Sequence, residues 1–263
     1  VTPMSEQLID YLRSLGPVVV AFSGGVDSTY LAVAATAALG PDAICVTANS
    51  ASLAAAEEDG TRDLAGRLGL NHLVVTTDEL ADPRYVANGA DRCAWCKTHL
   101  MDALAPIASE RGAIVLLGVN LDDLGDHRPG QQVAAERGAI FPLVELGMTK
   151  AMIRAESARL ELPTADKPSS PCLASRLPYG TPVTMSRLRS VERAEASLRD
   201  LGFSDLRVRH HGEVALVEVP EAELDRAIAK RSEIVAACRA AGFSFCALDL
   251  EGLGSGRLNR VLG

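Results

Sequence analysis

Val18-Val19-Val20-Ala21-Phe22-Ser23-Gly24-Gly25-Val26-Asp27-Ser28 is the stretch that decides the fold. Its first five residues form a short apolar run without helical spacing, which reads as a buried strand. Thr29 to Leu39 is apolar and rich in Ala, and Gly40-Pro41 ends it, so a helix is expected there. The Ser-Gly-Gly turn between them gathers unsatisfied backbone N–H groups and the positive end of a helix at one point, a ready site for phosphate. Gly24 and Gly25 let the backbone approach an anion without a Cβ in the way. Ser23 and Ser28 supply hydroxyls, and Asp27 supplies a carboxylate for Mg2+. The bland alternative is a strand-to-helix turn that uses Gly and Ser for geometry and Asp27 to start the helix.

Working outward, Leu8, Tyr11, Leu12 and Leu15 recur at helical spacing before Gly16-Pro17. Strand-like runs follow at Ala43 to Thr47, His72 to Thr76 and Ala113 to Gly118, separated by helix-like segments at Ser52 to Leu68 and Thr98 to Arg111. This alternation predicts an α/β fold, a parallel sheet flanked by helices. A further helix is expected from Thr149 to Leu160. The stretch Lys167 to Pro182 then carries Pro168, Pro171, Pro178, Gly180 and Pro182 and marks a boundary or a structured loop. Beyond it, Ser186 to Leu201 (helix), Leu206 to His210 and Val214 to Val219 (strands), Glu221 to Ala241 (helix) and Phe243 to Leu250 (strand) predict a smaller α+β unit. The expected division is 1–178 and 179–263.

The 263 residues carry a formal net charge of -8, which argues against a broad nucleic-acid footprint. No apolar run approaches the roughly 20 residues needed to cross a bilayer. Val1-Thr2-Pro3-Met4 shows no secretory pattern, so a cytoplasmic address is the expectation. The six cysteines do not form a secreted disulfide framework. Cys93-Ala94-Trp95-Cys96 is a C-x-x-C element, and Cys172 lies in the Pro-rich segment. Three thiolates can carry an iron-sulfur cluster with one open iron that holds a transferable sulfide. Adding His99 gives a closed Cys3His zinc site instead, and the plainest reading is separate thiols. Cys45, Cys238 and Cys246 fall in core-like segments, where Cys acts as a small apolar residue.

Arg207 and Arg209 alternate on a predicted strand and share a face, which either clamps an anion or is simply solvated. Asp122, Asp123, Asp126 and Arg128 follow the strand ending at Gly118, where they frame a nucleotide or build a turn. Trp95 is a lid or a packing residue, and Lys97 and Lys150 are phosphate partners or exposed lysines.

The loop lacks both the Lys-bearing P-loop and the dinucleotide pattern. Ser23 to Ser28 resembles the PP-loop signature S-G-G-x-D-S, and this resemblance implies cleavage of ATP between its α- and β-phosphates. With Arg92 to Lys97, Gly118 to Gly130, Gly147 to Lys150, Asp166 to Gly180, Arg207 to Gly212 and Asp249 to Gly256, the chain resembles the LarE family of sulfur transferases over almost its whole length. The resemblance implies adenylylation of a pyridinium dicarboxylate mononucleotide and replacement of AMP by sulfur, in nickel-pincer cofactor synthesis for lactate racemase. It carries over Cys172, Ser175, Arg176, Glu195, Arg207 and Arg209 as catalytic residues, and Ser23, Gly24, Gly25, Asp27, Ser28, Asn120 and Asp123 as contacts for ATP and Mg2+. In members with a single active-site Cys, the residue matching Cys172 gives up its own sulfur. Cys93 and Cys96 depart from that pattern and resemble the variant in which three cysteines hold a 4Fe-4S cluster fed by sulfide or another donor. A homo-oligomer is also implied. Rival readings are a tRNA thiolase, an ammonia-using PP-loop ligase and an ATP-binding sensor without turnover.

Overall fold

The computed structural model describes residues 3–125, 129–254, 257 and 260, and these divide into two compact units. The first comprises Val1–Glu79 and Cys93–Ser170, and the second Leu80–Arg92 and Pro171–Gly263. The chain passes to the second unit for good inside the Pro-rich stretch.

In the first unit, strands β1 (Val18–Ala21), β2 (Ala43–Asn49), β3 (His72–Thr76) and β4 (Ile114–Leu117) form a sheet of order β3-β2-β1-β4 in which every pairing is parallel. Both faces of β1 are covered. Val18 and Val20 pack with Leu8, Leu12, Tyr30, Leu31 and Ile153 on one side, and Val19 packs with Ile44, Met101, Leu104 and Val115 on the other. A strand alternates its side chains, so an unbroken apolar run means that helices lie on both faces. Each such buried side chain contributes about 1.5–3 kcal/mol. The order reverses at β1: the chain moves outward through β2 and β3 and returns to β4 on the other side. The turns after β1 and β4 therefore part at the carboxyl edge of the sheet, the ligand-binding crevice of open α/β folds.

One expected boundary is corrected. The helix expected from Thr98 begins at Arg92, so Cys93 and Cys96 lie in its first turns. Apolar periodicity missed this start because the opening turns are fixed by backbone, with Arg92 N–H donating to Gly89 O at 3.1 Å.

In the second unit, β5 (Arg207–His211), β6 (Val214–Glu218) and β7 (Phe245–Leu248) form a sheet of order β5-β6-β7, antiparallel then parallel. The helices Met185–Asp200 and Arg231–Ala240 supply Leu188, Val191, Leu198 and Ile234 to its core. The single helix expected over Glu221 to Ala241 is broken into Glu221–Glu223, Leu224–Ala229 and Arg231–Ala240. Arg226 and Lys230 both reach back to the Leu201 carbonyl, at 3.2 and 2.9 Å, and cap the Met185–Asp200 helix. The last two segments part at Lys230, whose backbone lies at φ -93 and ψ 19. No helix among the described residues is long and apolar enough to cross a membrane.

Candidate active site

The phosphate loop leaves β1 and enters the helix Val26–Leu39 with Gly25 as N-cap and no side-chain cap. Its first-turn N–H groups are thus left to an incoming ligand. Gly24 has φ +67, and a Cβ there would sit 2.7 Å from Thr61 Oγ1, so both the conformation and the space demand glycine. Gly118, at the end of β4, is constrained by space alone, because a Cβ would lie 2.8 Å from the Ser28 amide nitrogen. The end of β4 therefore meets the start of the Val26–Leu39 helix in close backbone approach at the base of the crevice. Ser23 and Ser28 join through their hydroxyls at 3.0 Å, and Ser28 Oγ donates to Gly25 O at 3.2 Å.

Asp27 forms an ion pair with Lys150, while its Oδ1 is buried without a hydrogen-bond partner among the described residues. A buried unpaired carboxylate oxygen is costly and fits a site for a cation. The Lys150 amide donates to Asp122 at 2.8 Å. Asn120 is fully buried and donates to Asp123 at 2.8 Å, while its own oxygen accepts from the Asp122 amide at 3.0 Å. These bonds build the turn Leu121–Gly125. Asp126 and Arg128 lie outside the described residues.

Cys93 is exposed and Cys96 half-buried, one turn apart at the start of the Arg92–Arg111 helix. A Cβ on Gly130 would stand 2.8 Å from Cys93 O, so the 129–136 helix rests directly on this turn. Burial pushes the pKa of Lys97 down, opposed by the two neighbouring thiols. Trp95 and His99 are half-buried on the same helix. Cys45 is buried, and its thiol pKa is pushed up to about 12 by desolvation. Cys238 is a free, buried thiol whose pKa is pushed up first by its hydrogen bond with Cys246 and then by burial.

The second unit holds the other group of expected residues. Cys172, exposed, is the N-cap of the short turn Leu173–Arg176. Arg176 and Glu195 are both buried and form a two-bond ion pair, with Nε to Oε1 at 2.8 Å and Nη2 to Oε2 at 3.2 Å. The remaining Nη1 of Arg176 donates to Pro171 O at 2.6 Å and to Ser175 Oγ at 3.0 Å. Arg176 thus holds the Pro171 carbonyl just before Cys172 and the Ser175 hydroxyl after it. Glu195 also accepts from the Val208 amide at 3.1 Å and from Arg199 at 3.0 Å.

Arg209 was expected beside Arg207 as an anion clamp, and it is itself clamped. Glu218 accepts from its Nε and Nη2 at 2.9 Å each, and Ser175 O accepts from Nη1 at 2.8 Å. Arg207 donates to Gly254 O at 2.9 Å and has no carboxylate partner among the described residues. Its pKa is lowered by burial first and then by the cations of Arg209 and Arg176. A groove of about 300 Å3 opens beside Arg209, His211 and Leu216.

Sequence reading missed several supports. Asn88, buried with φ 55, donates to Pro178 O and Thr181 O at 2.8 Å and accepts from Arg92 at 2.6 Å, while Arg92 donates to Ala174 O at 2.8 Å. These two residues tie the 80–92 segment to the Cys172 loop. Nothing local in the sequence signals a contact between residues so far apart. Glu218, Thr61 and Lys167 were missed for the same reason. Among the described residues, no three His, Cys, Asp or Glu side chains are grouped as ligands for a metal ion.

A parallel sheet whose switch-point turn reads Ser-Gly-Gly-Val-Asp-Ser defines a PP-loop nucleotide-binding domain. Residues 5–101 match the asparagine synthase family. The chain is 44% identical to an uncharacterized protein of Synechocystis over 98% of its own length and 97% of the relative's. It is 37% identical to the pyridinium-3,5-bisthiocarboxylic acid mononucleotide synthase of Lactiplantibacillus plantarum, over 97% of this chain and 93% of that enzyme. The chain belongs to this synthase family, LarE.

Proposed function

We propose that the protein is an ATP-dependent sulfur transferase acting on a pyridinium dicarboxylate mononucleotide in nickel-pincer cofactor synthesis. One observation carries the reading: a 37% match along 97% of the chain to a pyridinium-bisthiocarboxylate synthase. The phosphate-loop geometry supports its first half. The backbone N–H groups at Gly25 and the start of the following helix hold the phosphates, with Ser23 and Ser28 at the rim. Asp27, whose Oδ1 has no hydrogen-bond partner among the described residues, would hold Mg2+, which would neutralise phosphate charge.

A ring carboxylate oxygen attacks the α-phosphorus, its new O–P bond replaces the bond to the β-phosphate bridge, and pyrophosphate leaves. Sulfur from sulfide or another donor then attacks the acyl carbon, AMP departs with the carboxylate oxygen, and a thiocarboxylate remains. Arg207, without a carboxylate partner among the described residues, contacts the anionic substrate. Arg176, paired with Glu195, and Arg209 hold the carbonyls of Pro171 and Ser175 on either side of Cys172, so their effect on catalysis is through position. Asn120 and Asp123 shape the turn beside the nucleotide.

Cys93 and Cys172 are exposed and Cys96 is half-buried, and these three would hold a 4Fe-4S cluster; Cys45 and Cys238 are buried, and the half-buried Cys246 is hydrogen-bonded to Cys238. When bound, that cluster supplies an open iron for the incoming sulfide. The protein works in the cytoplasm as a homo-oligomer.

The test is anaerobic incubation with ATP, Mg2+, sulfide and the mononucleotide. Pyrophosphate release that depends on the mononucleotide, with exchange of oxygen for sulfur in its mass, is expected. Release without sulfur incorporation would leave an adenylylating enzyme of another kind. Iron and sulfide analysis of wild type and Cys93→Ala tests the cluster, and equal iron in both would refute it.

A further inference from the structure

The loop Ser23 to Ser28 contains an aspartate and no basic residue, yet it must hold a polyanion. A cation does reach it from elsewhere in the first unit. Lys167 Nζ lies 3.2 Å from Gly24 O and 2.8 Å from Glu57 Oε2. Glu57 is in the first turn of the helix Ala55–Arg67. One turn on, Thr61 Oγ1 donates to Glu57 O at 2.7 Å and packs against Gly24. This helix therefore backs the loop, and Glu57 sets where the ammonium stands.

We infer that Lys167, placed by Glu57, is a positioning residue for the phosphate loop: it holds the Gly24–Gly25 peptide with its carbonyl outward, so that the Gly25 N–H faces the phosphates. A trans peptide is planar, and its C=O and N–H point in opposite directions. Fixing the oxygen of this peptide fixes the direction of the next residue's N–H. Gly24, at φ +67, has no Cβ to restrict that rotation, so the peptide needs an external hold. A charge-assisted bond to the oxygen also polarises the peptide and strengthens the N–H as a donor. Lys167 acts on the nucleotide through the backbone without touching it. The inference rests on the ATP reading above.

The test is binding of a non-hydrolysable ATP analogue with Mg2+ to the full chain by calorimetry, with a melting curve for every variant and pyrophosphate release measured alongside. Lys167→Met is expected to weaken analogue binding about tenfold, the scale of a lost charge-assisted hydrogen bond. Lys167→Arg restores binding to within about threefold, because the cation and the Glu57 pairing survive. Glu57→Gln also weakens binding, by less than Lys167→Met. In turnover, KM for ATP rises more than kcat falls, a split that general loss of structure would not produce. Analogue binding by Lys167→Met within about twofold of wild type overturns the inference. So does tighter binding by Glu57→Gln, since release from Glu57 would then free Lys167 to contact phosphate itself. Wild type that binds no analogue overturns the ATP reading and the inference with it. Normal wild-type binding with an unchanged Lys167→Met overturns the inference alone.

Discussion

The phosphate loop and the Cys172 loop are built by opposite means. In the first, the geometry is set by backbone: Gly24 and Gly118 have no room for a Cβ, and Gly25 gives its helix no side-chain cap. In the second, the backbone is held by buried charges, with Arg176 on Glu195, Arg209 on Glu218, and the spare guanidinium nitrogens on the carbonyls of Pro171 and Ser175. A backbone site is fixed by local conformation and tolerates little added volume. A site held by ion pairs depends on partners distant in sequence and tolerates little change in charge.

The largest effect that would break this contrast is expected at Glu195. Glu195→Gln leaves the buried Arg176 guanidinium with one partner changed from ion to amide, and loss of about 3–5 kcal/mol is expected from breaking a buried pair. Denaturant unfolding measures it, and a loss below about 1 kcal/mol, the scale of an exposed pair, would show that the pair does not hold the loop. Gly24→Ala comes next. Strain at φ +67 and the clash with Thr61 should cost about 1–3 kcal/mol of stability and at least about tenfold in affinity for an ATP analogue. Arg207→Met should leave stability within about 1 kcal/mol while weakening the anionic substrate about tenfold, since Arg207 lacks a carboxylate partner among the described residues. An Arg207→Met protein that binds substrate normally would place the anion elsewhere.

The smallest expected effect is a pH dependence. His210 is buried against Phe243, and its pKa is lowered from the ordinary 6.5 chiefly by desolvation. A histidine whose folded pKa is depressed contributes stability above its unfolded pKa and loses it as pH falls through the folded value. The wild type should therefore weaken in acid below about pH 6.5, and His210→Leu should weaken less. Parallel melting curves across that range check this.

The same contrast explains what could be read from sequence. The four strands of the parallel sheet and the phosphate loop were legible because each depends on a contiguous run: apolar residues for β1, then Ser-Gly-Gly for the turn. The strands and the long helix of the second unit were also legible from periodicity. What held the Cys172 loop was not, because Asn88 and Arg92 act across more than eighty residues and carry no local signature. The pairing of Arg209 with Glu218 follows from strand register, in which Arg207 faces Glu218 and Arg209 faces Leu216, so the pair is diagonal. Register is a tertiary fact, and R-x-R alone does not say which arginine is already engaged.

The central claim is that a substrate carboxylate, activated at its oxygen by ATP, exchanges that oxygen for sulfur. It is tested most directly by labelling the ring carboxylates of the mononucleotide with heavy oxygen and running one turnover with ATP, Mg2+ and sulfide. The account predicts one heavy oxygen in the AMP phosphate for each thiocarboxylate formed. Thiocarboxylate accompanied by unlabelled AMP, or ADP in place of AMP, would contradict it.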